Sequence, residues 1–308
     1  MKIFLVAPKS ISNHRKPGQS FRYDYAFWNF YFPLLSLGHE VTFFDTSHLG
    51  DQELQPAIEK VKPELLFCIM TGDTNYTPQE PWDTVKQETK KGRLKTFNWF
   101  CDDSWRFDGF SSNVCHNFHA CSTPEQRFVE KYKEIGYNNI IYGTWHANAD
   151  FYAHIGAQKH SRVGFIGAPT GDRQQVLDGL RRKEVEVLHP ERASFEDLLY
   201  TYHSSLLGLN LSKNPANMQR QVKGRLFEIP ATQTLMITET TPDVENYFVP
   251  DRDIITFDSF PELAEKVKFL LSKPALAKKI AQTGFAHFMK HHESKVRLAS
   301  VLEQIEKI

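Results

Sequence analysis

Short apolar runs alternate along the chain with stretches whose apolar residues recur at three- and four-residue spacing. The runs "KIFLVAP", "HEVTFFD", "ELLFCIM", "LKTFNWFCD", "NFHACS" and "NIIYGTW" read as strands. Between them, "SFRYDYAFWNFYFPLLSLG", "QELQPAIEKVK", "PWDTVKQETKK" and "PEQRFVEKYKEIG" carry helical periodicity, the first ending at Gly38, a natural helix terminator. The residues from Asp102 to about Ser112 read as a loop. Nearly continuous apolar strands separated by helices predict a parallel sheet covered on both faces.

After the polar, aperiodic stretch "WHANADFYAHIGAQKHS" the alternation restarts. Strands are expected at "RVGFIGA", "VEVLH", "LLGLNLS", "TLMITE" and "DIITFDS". Helices are expected at "DRQQVLDGLRRK", "SFEDLLYTYHSS", "RLFEIPAT", "FPELAEKVKFLLS" and along the C-terminal region. A length of 308 residues suits two cores, since single cores seldom grow past about 250 residues. The expectation is an α/β fold of two domains, residues 1–148 and 149–308, with the last helix free to cross back to the first. Open α/β sheets bind ligands beyond the carboxyl ends of their strands, so two such domains facing each other make a cleft.

Composition narrows the function. The 37 Lys and Arg balance the 37 Asp and Glu, so no global field recruits nucleic acid or an anionic membrane. A local basic face is still open to the segment "SISNHRKPGQSFR". The apolar windows are far shorter than the ~20 residues that span a bilayer, and no signal-peptide pattern precedes the first strand. A cytoplasmic protein without a membrane span is expected. The four cysteines form no C-x-x-C pair and are expected as reduced thiols. Cys115, His116, His119 and Cys121 are metal-ligand types at a spacing that matches no common zinc pattern, and His287 and His291 lie one helical turn apart and could hold a metal, but no glutamate sits between them and lysines surround them. No metal site is expected.

The segment "VKGRLFEIPATQTLMITE" stands out from ordinary core. Lys223 and Arg225 crowd the start of a short helix, where unpaired N–H groups also attract an anion, and phosphate is the obvious guest. Glu228, about one turn further in, suits the diol of a ribose or sugar, which points to a nucleoside diphosphate. An internal Arg225–Glu228 pair on a surface helix explains the same spacing equally well. In "FIGAPTGDR", Gly167 and Gly171 bracket a strand-to-helix turn able to face a ligand with backbone N–H groups, with Thr170 inside it and Arg173 at the start of the next helix. A plain glycine turn is the alternative, because no P-loop or dinucleotide fingerprint is present. In "NWFCDDSWRFDGF", Asp102 and Asp103 follow a strand among aromatic rings, a usual way to hold a sugar or to supply a general base. An ion-paired loop neutralised by Arg106 is the alternative there.

The run "GRLFEIPATQTLMITETTPDVENYF", with "DIITFDSFPELAEKVKFLLSKPALAKKIAQTGFAHFMKHH" after it, resembles the C-terminal module of group 1 glycosyltransferases, in the branch similar to spore-maturation protein CgeB. "VTFFDTS", "FNWFCDDSWRFD" and "CSTPEQRFVEKYKEIGYNNIIYGTWHANADFY" resemble the N-terminal part of that branch. The resemblance implies a GT-B fold, two Rossmann-like domains facing across a cleft, with acceptor on the first domain and sugar nucleotide on the second. It implies a metal-independent transfer needing no cofactor; a UDP-sugar is the favoured donor, with the sugar and the base left open. Glu228 matches the family glutamate that holds the donor ribose, and Arg173 falls near its diphosphate-binding arginine. Two departures stand out. Arg220 occupies the position of the first glutamate of the family's E-x7-E motif and is expected as a further phosphate contact, and Gln233 replaces the glycine of the following turn.

The sequence thus favours a glycosyltransferase moving a sugar from a nucleoside diphosphate to a hydroxyl acceptor with retention of configuration. Lys223, Arg225 and Arg173 stabilise the departing diphosphate, Glu228 positions the ribose, and Glu191 edges the base. Asp102 or Asp103 orients the acceptor, or acts as base. A nucleotide-sugar 2-epimerase and a non-catalytic nucleotide-sugar-binding protein are the rival readings, and a hydroxylated DNA base is a conceivable acceptor.

Overall fold

A computed structural model describes residues 1–9, 25–73, 77, 79–153, 156–190, 193–214 and 219–308. The basic segment "SISNHRKPGQSFR" lies outside the described residues. The chain forms two compact units, one of Met1–Thr144 with Ser294–Ile308, the other of Trp145–Glu293.

The first unit holds six strands, β1 (Lys2–Ala7), β2 (Glu40–Asp45), β3 (Leu65–Cys68), β4 (Lys95–Trp99), β5 (Ala120–Thr123) and β6 (Ile140–Tyr142). They pair in parallel in the order β2-β1-β3-β4-β5-β6. Five of the six residues of β1 and all four of β3 are buried, as central strands covered on both faces require. Helices Asp51–Val61, Trp82–Lys91 and Gln126–Glu134 bring Leu54, Ile58, Val85, Phe128 and Tyr132 onto one core. The last helix, Ser294–Glu306, belongs to this unit, where the Lys95 ammonium donates to the carbonyls of Ile305 and Glu306 at its C-terminal end, at 2.9 and 2.8 Å.

The stretch expected as a loop after β4 is instead wound: an α-turn at Asp103–Arg106, a π-turn at Phe107–Ser111 and a further turn at Ser112–Val114. Its helix propensity is poor, but Phe107 packs at 4.9 Å from Tyr132 and 5.3 Å from Phe128. Tertiary burial of that ring overrides local preference.

The second unit holds β7 (His160–Gly164), β8 (Val187–Leu188), β9 (Ser205–Asn210), β10 (Leu235–Glu239) and β11 (Ile255–Phe257), all parallel, in the order β11-β10-β9-β7-β8. Val163, Leu177, Leu207, Leu209, Leu235, Ile237, Leu263 and Val267 share its core. Ser194 caps the helix Phe195–His203 with a reciprocal pair of bonds to Asp197, 3.1 and 2.9 Å. β7 lies between β8 and β9, so the chain leaves it to one side and returns on the other. The loops after β7 and β9 therefore diverge at the carboxyl edge and open a crevice there.

Candidate active site

β7 stops at Gly164, four residues earlier than the apolar run suggests, and Phe165–Asp172 turn across the carboxyl edge of the sheet. Gly167 has φ +148°, and a Cβ built on it would lie 3.0 Å from Arg225 Nη1 and 3.2 Å from the Phe165 ring. Only a glycine lets the Arg225 guanidinium settle onto this turn. The guanidinium also lies over the Phe165 ring, at 5.6 Å from its centroid. Its Nε donates to the Asn210 side-chain oxygen at 3.2 Å and its Nη2 to the Leu211 carbonyl at 3.1 Å, both just beyond β9 or at its end. Nη1 has no acceptor among the described residues.

Arg173 reaches the same turn from the other side. Buried to 6 % exposure, it donates to the Ala168 carbonyl at 3.2 Å and to the Lys213 carbonyl at 2.9 Å. Burial, and then the like charge of Arg225, pull its pKa down to about 10, against the opposing influence of Glu239 and Asp172. At neutral pH Arg173 is still charged. Two cations that repel each other are thus held at a sheet's carboxyl edge by neutral acceptors alone, with no carboxylate bound to either guanidinium among the described residues.

The helix Arg225–Ala231 is only seven residues long and contains Pro230, so the positive character of this edge comes mainly from side chains. Lys223 is half-buried just before it. Glu228 is buried at 3 % exposure, and the Tyr152 hydroxyl donates to its Oε1 at 3.3 Å. Gly224, one turn earlier, approaches the same carboxylate: a Cβ there would meet Oε1 at 3.5 Å. The internal pair of Arg225 and Glu228, the alternative reading of that spacing, does not form among the described residues; each side chain has separate partners. After the helix Gln233 adopts φ +55°, the left-handed conformation that the replaced glycine favours.

The remaining expected residues divide. Gly171 has φ +62° and is exposed, as is Thr170, whose carbonyl accepts from the Arg173 N–H at 3.3 Å. Glu191 lies outside the described residues. His189, two residues ahead of it, contacts the Gly167 carbonyl through Nε2 at 2.9 Å and so braces the turn. Arg220, expected as a phosphate contact, is occupied elsewhere. It donates to the Thr240 carbonyl at 2.9 Å and to Asp258 at 2.7 and 3.0 Å, and lies 3.9 Å from Glu239. Glu239 in turn accepts from Ser212 N and Oγ and from Lys213 N, at 2.5, 2.9 and 3.2 Å. Arg220 thereby ties the loop after β9 to Thr240 and Asp258. Sequence reasoning missed Asn210, Tyr152, Asp172 and Lys213; the last two form an ion pair at 2.5 Å.

In the first unit Asp102 and Asp103 part company. Asp102 is half-buried at the cap position of the short turn after β4, beside Cys101, whose thiol donates to it at 3.6 Å. Asp103, expected to orient an acceptor or act as base, is 1 % exposed and accepts from the Tyr132 hydroxyl at 3.1 Å, facing the core. Burial pushes its carboxyl up to about 6, opposed by Thr123, Ser111 and Tyr132. Arg106 pairs with Asp73 at 3.5 Å and donates to the Thr71 carbonyl, instead of neutralising a neighbouring aspartate. Glu80 fastens the same loop by accepting from the N–H groups of Thr71 and Gly72, both at 2.7 Å. Cys115 and Cys121 are buried free thiols of the core, and Thr96 N donates to His119 Nδ1 at 3.1 Å. His287 lies 3.0 Å from Asp253. Among the described residues no group of three His, Cys, Asp or Glu is placed to hold a metal ion, and no helix is long and apolar enough to cross a membrane.

The sequence pattern of the family described as glycosyl transferase-like matches residues 123–303, more than half of the chain and all of the second unit. The chain belongs to that family. Among solved structures, this glycosyltransferase is similar to Alr3699/HepE of Anabaena in complex with UDP-glucose, at 11 % identity over all of both chains with a TM-score of 0.66. An alpha-glucosyltransferase in complex with UDP and a 13-mer DNA containing an HMU base matches at 13 % identity over 99 % of each chain, TM-score 0.64. Sucrose-phosphate synthase from Thermosynechococcus elongatus matches at 9 % over all of both chains, TM-score 0.64. At such identities the likeness speaks for the fold, two parallel-sheet Rossmann-like domains of the GT-B kind. None of the curated proteins compared with the sequence matches it.

Proposed function

We propose that this glycosyltransferase moves a sugar from a nucleoside diphosphate, UDP in the first instance, onto a hydroxyl acceptor, with the donor on the second unit and the acceptor on the first. One observation carries the donor site: Arg173 and Arg225 converge on the Gly167 turn with only neutral protein acceptors, an arrangement that an entering diphosphate completes. Glu228, held by Tyr152, takes the ribose hydroxyls. As the glycosidic bond breaks, charge grows on the outer phosphate, where Arg225 Nη1 and Lys223 stabilise it. Side-chain cations answer that charge in this reading, so transfer proceeds without a metal; retention of configuration is proposed on the resemblance to group 1 alone. Asp102, not the core-facing Asp103, is the proposed acceptor contact. Within the family, the branch similar to CgeB is the proposed placement, on the segments quoted above. UDP and UDP-glucose bound in similar structures, and DNA with a modified base in one of them, support the choice of first probes.

The test is thermal unfolding with UDP, ADP, GDP and their sugars, followed by transfer assays with and without a chelator on saccharide and hydroxymethyluracil-DNA acceptors. Stabilisation by one nucleoside diphosphate, lost in Glu228→Ala, is expected. If the folded protein responds to none of them, the donor site is refuted. Loss of transfer in chelator would overturn metal independence, and turnover of the donor without any acceptor would favour an epimerase.

A further inference from the structure

The ion pair of Asp172 and Lys213 joins the loop after β7 to the loop after β9 at the carboxyl edge of the sheet. We propose that Lys213 is a third cation of the diphosphate subsite, and that Asp172 stands in for the phosphate until a donor arrives. The inference rests on the donor reading above.

Three observations lead to it. The backbone of Lys213 is fixed from both sides: its N–H donates to Glu239 Oε2 at 3.2 Å, its carbonyl accepts from Arg173 Nη2 at 2.9 Å, and it bridges to Arg220. Its side chain, by contrast, is about one-third exposed (32 %), as is that of Asp172 (33 %). The ammonium can therefore exchange partners without moving the loop, in a setting where ion pairs are weak enough to exchange, about 0–1 kcal/mol. Finally, Asp172 directly precedes Arg173, and its carboxylate is bound to neither guanidinium of the crevice. It is the anion that offsets the local excess of positive charge. A diphosphate carries more charge than one carboxylate and wins Lys213, while Asp172 is released to water.

The arrangement predicts a linkage that simple proximity does not. Asp172→Asn frees Lys213 in advance and tightens nucleoside diphosphate binding about three- to fivefold, the fold-change equivalent of an exposed pair of this kind. Lys213→Met weakens it about tenfold. In the double variant, affinity equals that of Lys213→Met, because the aspartate has nothing left to withhold. Calorimetric titration of each protein with UDP, UMP and uridine provides the readout, with ADP and GDP series in parallel. The effects are expected to be largest for the diphosphate and to vanish for the nucleoside. If Asp172→Asn gains as much in the Lys213→Met background, Asp172 acts only by through-space repulsion and the stand-in role is overturned. Unchanged diphosphate affinity in Lys213→Met overturns the third cation. A wild-type protein that binds none of the diphosphates overturns both this inference and the donor site beneath it, whereas tight wild-type binding with no coupling overturns this inference alone.

Discussion

Arg225 and Arg220, five positions apart, hold different partners in the structure, and whether they differ in task is measurable. Arg225→Met keeps the aliphatic stem but removes the donors to Asn210 and Leu211 and the group lying over Gly167. Arg220→Met removes the donors to Thr240 and Asp258. Each change strips two or three hydrogen bonds, so each costs about 1–2 kcal/mol of unliganded stability, the Arg225 loss being offset in part by relief of its repulsion with Arg173. Unliganded melting alone does not separate them.

The ligand increment does. A nucleoside diphosphate at about 100 times its Kd stabilises the wild-type protein by about 2.7 kcal/mol. Hydrogen bonds to a charged partner contribute about 1.5–3 kcal/mol, so losing Arg225 weakens binding by about tenfold to a hundredfold. At the same ligand concentration the increment then falls to about 1.4 or about 0.4 kcal/mol. With roughly 2–4 °C per kcal/mol for a domain of this size, a wild-type rise of about 5–10 °C shrinks to about 1–5 °C in Arg225→Met and stays whole in Arg220→Met. Differential scanning fluorimetry with one ligand series reads all three proteins. An undiminished rise in Arg225→Met, or an equal loss in Arg220→Met, refutes the division of labour between the two arginines.

Other outcomes follow from single contacts. Asp103 has its carboxyl pushed from 3.8 to about 6, so the native state holds the proton more tightly than the unfolded chain; that contribution, about 3 kcal/mol, is complete below pH 3.8 and lost as pH rises through 6. Asp103→Asn is therefore expected to remove a fall in stability between about pH 4 and pH 6.5, and denaturant titrations that keep the wild-type slope would contradict it. Gly167→Ala places a methyl 3.0 Å from Arg225 Nη1 at a backbone angle that side chains rarely adopt, which costs about 1–3 kcal/mol and lowers nucleotide affinity together. Retained affinity in a folded Gly167→Ala protein would show that Arg225 does not depend on this turn. Tyr152→Phe deletes one hydrogen bond to Glu228, worth about 1 kcal/mol, so donor KM rises about fivefold while kcat holds; a fall in kcat at constant KM would place Tyr152 in the chemistry instead.

The alternation of apolar runs and helical periods made both sheets legible, because buried parallel strands and covering helices each leave a local signature. The winding of Asp103–Val114 left none: its cause is the burial of Phe107 between Phe128 and Tyr132, residues of a helix further along the chain. The same distinction runs through the site. Arg225, Glu228 and Arg173 could be named from charge at the start of a helix and from resemblance, both properties of contiguous sequence. The split between Asp102 and Asp103 could not, since it depends on Tyr132. Nor could the split between Arg220 and Arg225, which depends on Glu239 and Asp258 for one and on Asn210 and Leu211 for the other. Lys213 and Asp172 are 41 positions apart and meet only because β9 lies beside β7, with β8 on the far side. Strand order is the piece of information that converts a list of charged residues into a site: a cation at a carboxyl edge becomes structural or ligand-binding according to which strand's loop reaches it first, and no local pattern encodes that neighbour.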